Sequence, residues 1–153
     1  MVLTSDMGWP YSWRENKLIV DCYVNCEVDR AWQIVSGDLT EWFSPHGGAD
    51  FKPKRRLLVG TPGIGRSMAA GSYLLYQLLH YDVEQLQVVI YVIAEKAFLF
   101  DKTAKTVTRY INLSAMEYFF DLESPRGMRG YVIYDVLVKG RNPSFFLFLP
   151  NGA

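Results

Sequence analysis

The chain is short of the residues that build metal centres and disulfide frameworks. Its 153 residues include two cysteines, Cys22 and Cys26, and two histidines, His46 and His80. Two thiols cannot form a disulfide scaffold. Their spacing is not the C-x-x-C of a zinc or redox pair, so both read as ordinary strand thiols in a reducing, intracellular compartment. No apolar run approaches the ~20 residues of a membrane helix. Residues 1–10 include Asp6 and lack the apolar core of a secretory leader. Net charge is also missing: 16 basic residues balance 16 acidic ones, which excludes a uniformly basic coat for nucleic acid. There is no internal repeat and no low-complexity segment.

What is present is material for a core. Apolar residues make up 50% of the chain and aromatics 15%, which rules out a disordered chain. The charge balance conceals an asymmetry. Residues 1–50 carry eight acids against three bases, a net of −5, and residues 51–153 carry the compensating +5. All four tryptophans, Trp9, Trp13, Trp32 and Trp42, fall in the acidic part. The loop composition of residues 44–48, S-P-H-G-G, marks a boundary. The chain therefore divides into a small α+β, Trp-rich acidic segment over 1–50 and a second domain over 51–153. The basic run K-P-K-R-R at 52–56 can touch nucleic acid; a solvated charge run leading into a strand is the plainer reading.

The hydrophobic pattern predicts the elements. Residues 17–24 read as a strand. Residues 27–43 read as an amphipathic helix with Val28, Ala31, Trp32, Ile34 and Val35 inward, interrupted at Gly37-Asp38. Residues 57–59 form a short strand, and residues 67–80 a helix with Ala70, Tyr73, Leu74, Leu78 and Tyr81 on one face. The continuous run at 87–93 marks a strand buried on both faces. Residues 97–100 and 107–111 flank a polar turn and form a hairpin. Ser114 and Glu117 suit a capping box for a helix over 115–122. Residues 131–134 form a second buried strand ending at Asp135. This order implies an α/β fold with a mainly parallel sheet.

One segment carries chemistry. Gly60, Thr61, Pro62, Gly63, Ile64, Gly65, Arg66 and Ser67 fit G-x-x-x-x-G-[K/R]-[S/T], a phosphate-binding loop. Glycines let successive N–H groups converge on one anion. The helix that follows adds its positive dipole end. A cation then meets the outer phosphates, and the Ser67 hydroxyl can ligate Mg²⁺. Sites of this type also need a carboxylate at a strand end to hold the metal shell, and Asp135 supplies it. The alternatives are a ligand-free glycine turn and an ordinary strand-end acid. Two positions weaken catalysis. Arg66 puts a planar fork where a compact ammonium is usual. Val136 stands where many such ATPases place a water-activating Glu; Glu95 is the stand-in candidate, and a solvated loop Glu the plainer reading.

The chain resembles the retrotransposon hot spot (RHS) family of trypanosomatid parasites. The resemblance rests on G-W-P-Y-S-W (8–13), D-C-Y-V-N-C-E-V-D-R-A-W-Q-I-V (21–35), G-D-L-T-E-W-F (37–43) and L-L-V-G-T-P-G-I-G-R-S-M-A-A-G-S-Y-L-L-Y-Q-L-L-H-Y-D (57–82). It continues through F-D-K-T-A-K-T-V-T-R-Y (100–110) and G-Y-V-I-Y-D-V (130–136). The resemblance implies a large multigene family with a P-loop domain related to AAA-type ATPases. It also implies a nuclear or cytoplasmic location and an association with transcription and RNA handling. The family loop has Lys where Arg66 stands, and residues 141–153 read as having left the family pattern. On that reading the P-loop domain is a truncated copy, and the apolar stretch at 145–149 favours self-association.

Three functional readings follow. The first is a degenerate nucleotide-binding module taking ATP or GTP with Mg²⁺ and hydrolysing little or none of it. The second is a non-enzymatic interaction protein that binds a protein partner through residues 1–50, with any nucleic-acid contact indirect. The third is a pseudogene-derived remnant. Aromatic-rich surfaces suit a protein partner, with buried core tryptophans as the plainer alternative.

Overall fold

A computed structural model describes residues 1–9, 18–44, 56, 70–93, 96–111 and 129–135. The chain falls into two compact units, Met1–Leu74 and Leu75–Ala153, and each is taken by itself. Among the described residues, no helix is long and apolar enough to cross a membrane.

The first unit contains strands β1 (Val2–Thr4) and β2 (Asp21–Tyr23) and helix α1 (Cys26–Trp42). β1 and β2 pair antiparallel with Leu3 opposite Cys22. The ribbon is tied at one end by the Thr4 hydroxyl donating to Asp21 Oδ1 (2.8 Å) and at the other by Val24 N donating to Met1 O (2.8 Å). Gly8 has φ of 72°, in the left-handed region where only glycine is unstrained, and its N–H closes a turn onto Ser5 O. The strand expected over 17–24 is confined to three residues, because its partner β1 is only three residues long.

Asn25 starts α1. Its side chain accepts from Val28 N at 2.9 Å, and Glu27 and Asp29 sit in the first turn. Both features offset the unmet N–H groups and positive dipole end of a helix start. The interruption expected at Gly37-Asp38 does not occur: α1 runs through both residues to Trp42. Thr40 Oγ1 donates back to Ser36 O (2.9 Å) across this stretch. Val28, Val35 and Leu39 are buried along one stripe, whereas Ile34, expected inward, is 45% exposed. Val24, Val28, Ala70 and Tyr73 form a buried cluster against which Leu3 and Trp32 pack.

Helix α2 (Ser72–His80) crosses the division between the units. Leu75 and Leu78 are buried on it, and Leu74, expected on the inner face, is only half-buried.

The second unit is built on a sheet of β3 (Val88–Ile93), β4 (Lys96–Asp101), β5 (Thr106–Tyr110) and β6 (Gly130–Asp135) in the order β5-β4-β3-β6. All six residues of β3 are buried, as its unbroken apolar run predicts. β3 pairs parallel with β6 but antiparallel with β4, and β4 pairs antiparallel with β5. The mainly parallel sheet expected from the element order is therefore corrected: the described sheet is mostly antiparallel. Only two residues separate Ile93 from Lys96, and four separate Asp101 from Thr106. Connections this short can only reverse the chain, whereas a parallel pair needs a connection of a dozen residues or more, and 36 residues separate Ile93 from Gly130.

Candidate functional site

The carboxyl ends of β3 and β6 lie side by side. The register places Val88 beside Gly130 and Ile93 beside Asp135. At the opposite end, Gln87 N and Val88 N both donate to Arg129 O (3.0 and 3.2 Å), and Gln87 Oε1 accepts from Arg129 N (3.2 Å). These bonds fix the register at the start of the parallel pair, and the register in turn fixes where Asp135 emerges. Asp135 is half-buried, with Oδ2 shielded from water. A carboxylate at the carboxyl end of a parallel strand stands where α/β sheets place their ligands.

Of the residues singled out in the sequence, Asp135 is therefore located. Gly60, Thr61, Pro62, Gly63, Ile64, Gly65, Arg66 and Ser67 lie outside the described residues, as do His46, Glu95, Val136, the helix over 115–122 and the tail at 145–149. Of the basic run, Arg56 is described: it forks onto Asp38 of α1, with Nε to Oδ2 at 2.7 Å and Nη2 to Oδ1 at 2.8 Å. That guanidinium is occupied by a bidentate ion pair.

The thiols separate. Cys22 is buried on β2, while Cys26 is exposed as the first residue of α1 and not on a strand. Burial pushes the Cys22 thiol above its ordinary value, and a side-chain interaction with Ser72 pulls the other way. Among the described residues, no three His, Cys, Asp or Glu side chains are grouped to hold a metal. The tryptophans in view are largely spent on packing. Trp9 is buried and its Nε1 donates to Val20 O (3.0 Å). Trp32 lies against the first unit's core, and Trp42 stacks on Phe43 at 4.8 Å.

One feature of the second unit has no counterpart in the sequence reading. Lys102, in the hairpin turn, donates from Nζ to Leu78 O (2.9 Å) and Tyr81 O (2.6 Å). A cation on the last carbonyls of a helix satisfies both their lone pairs and the negative dipole end. Burial lowers the Lys102 ammonium below its ordinary range, partly offset by Asp82. Only chain reversal brings the turn to the helix end, so no sequence pattern announced the contact.

Two family models account for the chain. One, the retrotransposon hot spot protein P-loop domain, matches residues 57–153. The other, for the N-terminal region of retrotransposon hot spot proteins, matches residues 1–54. The chain belongs to the retrotransposon hot spot protein family. No curated relative and no solved structure matches it. The P-loop domain match runs to residue 153, so residues 141–153, expected to have left the family pattern, fall within it. The same match spans both the glycine-rich segment at 60–67 and Asp135.

Proposed function

We propose that this hot spot family member is a nucleotide-binding module that takes ATP or GTP with Mg²⁺ weakly and hydrolyses it slowly or not at all. The observation that carries this reading is the P-loop domain match over residues 57–153, with G-T-P-G-I-G-R-S at its start. Gly60, Gly63 and Gly65 would let the main chain wrap the phosphates, with Thr61, Pro62 and Ile64 completing the turn. Arg66 and the Ser67 hydroxyl would face the outer phosphates and the metal.

The position of Asp135 fits this role. Mg²⁺ is usually held by one or two carboxylates together with substrate phosphates and water, not by an all-protein cage. One half-buried strand-end carboxylate is enough for such a shell, and the lack of a three-ligand cluster among the described residues does not count against it. When bound, the metal would neutralise phosphate charge. The protein would contribute the carboxylate and its fixed register. The accompanying fold reading is an AAA-like core that includes the parallel pair β3–β6, with the β4–β5 hairpin added at one edge. A nuclear or cytoplasmic location goes with it.

The weakness of binding follows from Arg66. A guanidinium is wider than an ammonium and cannot act as a point charge between two phosphates. Val136 supplies no base to activate water. The test is titration of the full chain, its Arg66→Lys variant and its Asp135→Asn variant with fluorescent ATP and GTP analogues, with and without Mg²⁺. The reading expects Arg66→Lys to tighten binding and Asp135→Asn to remove the dependence on Mg²⁺. If neither the chain nor Arg66→Lys binds any nucleotide, the reading is wrong.

A further inference from the structure

Among the described strands, β5 ends the sheet and carries a surface that the nucleotide reading does not use. β5 pairs with β4 and, among the described residues, has no strand on its other side. Thr106, Val107, Thr108 and Arg109 are all exposed, and Val107 is 58% exposed. An exposed strand edge offers a row of main-chain donors and acceptors to another chain. β5 is also rich in β-branched and aromatic residues and contains no proline, so it is a good template.

Its side chains add selectivity. Val107 and Arg109 share one face of the sheet by strand alternation. Val107 lines an open groove of about 460 Å³ together with Leu79, Val83, Phe100 and Lys105. Lys105 and Arg109 are exposed and form no ion pair among the described residues. The nearby Lys102 is occupied by the carbonyls of Leu78 and Tyr81. Asp101 is occupied by the N–H groups of Thr103 and Ala104 (3.0 and 2.9 Å). β5 thus presents Val107 and Arg109 on one face, and Lys105 of the adjoining turn lines the same shallow apolar groove as Val107. Two copies of this edge laid together would set like charges near one another, which is destabilising across strands.

We propose that β5 takes up an extended acidic segment of another protein as an added strand, with an apolar side chain over Val107 and acidic side chains on either side of it, one facing Arg109 and the other Lys105 of the adjoining turn. Main-chain pairing supplies the affinity and the alternating side chains the choice of partner. This does not depend on the nucleotide reading.

The test uses the full chain and a fluorescein-labelled peptide with the core Asp-Thr-Val-Thr-Glu, followed by anisotropy. The proposal expects saturable binding and slowed hydrogen exchange at residues 106–110. Moving both acids to one end of the peptide, or methylating alternate peptide nitrogens, should abolish binding. The double variant Lys105→Glu, Arg109→Glu alters only exposed side chains. It should weaken the acidic peptide by about tenfold, ~1.4 kcal/mol over two charge pairs, and gain binding to a Lys-Thr-Val-Thr-Lys core. Equal binding of the reordered or N-methylated peptides would overturn the proposal. So would a concentration-dependent dimer that masks β5, or capture of a single-stranded oligonucleotide through Lys105 and Arg109 without any binding of the peptide.

Discussion

Replacing Gly37 by alanine tests whether α1 is one helix or two. Gly37 lies well inside α1 (Cys26–Trp42) and is exposed. A Cβ built on it meets nothing within 4 Å. The substitution therefore has no packing cost and removes the backbone freedom that glycine carries in the unfolded chain. In a helix interior that difference is worth about 1 kcal/mol. For a cooperative unit of the size of Met1–Leu74, this raises the melting temperature by roughly 4–8 °C. Gly37→Pro at the same site removes an i to i−4 bond and clashes with the preceding turn, costing about 3 kcal/mol. Thermal melts followed by far-ultraviolet circular dichroism read both variants. A broken helix at Gly37-Asp38 would give the opposite pattern, with no gain from alanine and tolerance of proline. That result would refute the continuous α1.

Other perturbations probe the two units separately. Ile93→Ala removes three buried carbons from a fully enclosed position and should cost about 3 kcal/mol in urea unfolding, from ~0.8 kcal/mol per carbon plus a cavity contribution. Val107→Ala, on the exposed edge, should cost less than ~0.5 kcal/mol, and equal costs would contradict the burial of β3. Cys26 should react with iodoacetamide at pH 8 while Cys22 stays protected until the first unit unfolds. Burial raises Cys22 above its unfolded value of 9.0, so its contribution to stability is present below that pH and is lost as pH rises through the folded value. Cys22→Ala should flatten this alkaline loss in a pH series of melts, and an unchanged slope would contradict the assignment.

The elements that the sequence disclosed are those whose signal is local. The run V-V-I-Y-V-I could be satisfied only by burial on both faces, and β3 is buried throughout. The polar D-K-T-A-K-T segment is a hairpin turn, closed by Asp101 on two backbone N–H groups and by Lys105 at φ 55°. Gly37-Asp38 suggests an interruption that α1 does not have, because one glycine costs only about 1 kcal/mol, which capping by Asn25 and packing of Val28, Val35 and Leu39 outweigh. β1 has no signature in the sequence, because three residues hold no period. Pairing direction is not written in hydrophobicity at all. It is written in connection length, and the two-residue link from Ile93 to Lys96 already required a reversal. The strand-end position of Asp135 was visible because its strand is a bounded apolar run, whereas the Lys102 contacts on the end of α2 depend on tertiary placement alone.

The order of strands also argues that the two proposed surfaces are energetically separate. Asp135 ends β6, Arg109 lies on β5 and Lys105 in the turn before it, with β4 and β3 between β5 and β6. Three strand spacings of ~4.8 Å put about 14 Å between β6 and β5. Substitutions at sites more than about 7–10 Å apart with no shared partner add independently. β3 is buried on every residue and its register with β6 is held at Gln87 and Arg129, so it does not pass a small displacement from β6 to β5. Lys105→Glu with Arg109→Glu should therefore leave Mg²⁺-dependent nucleotide affinity unchanged, and Asp135→Asn should leave peptide affinity unchanged. A thermodynamic cycle of the three substitutions, with both ligands titrated, measures any coupling. An interaction energy above ~0.5 kcal/mol would mean that the sheet moves between two arrangements, and the fixed register held at Gln87 and Arg129 would be the first premise to fall.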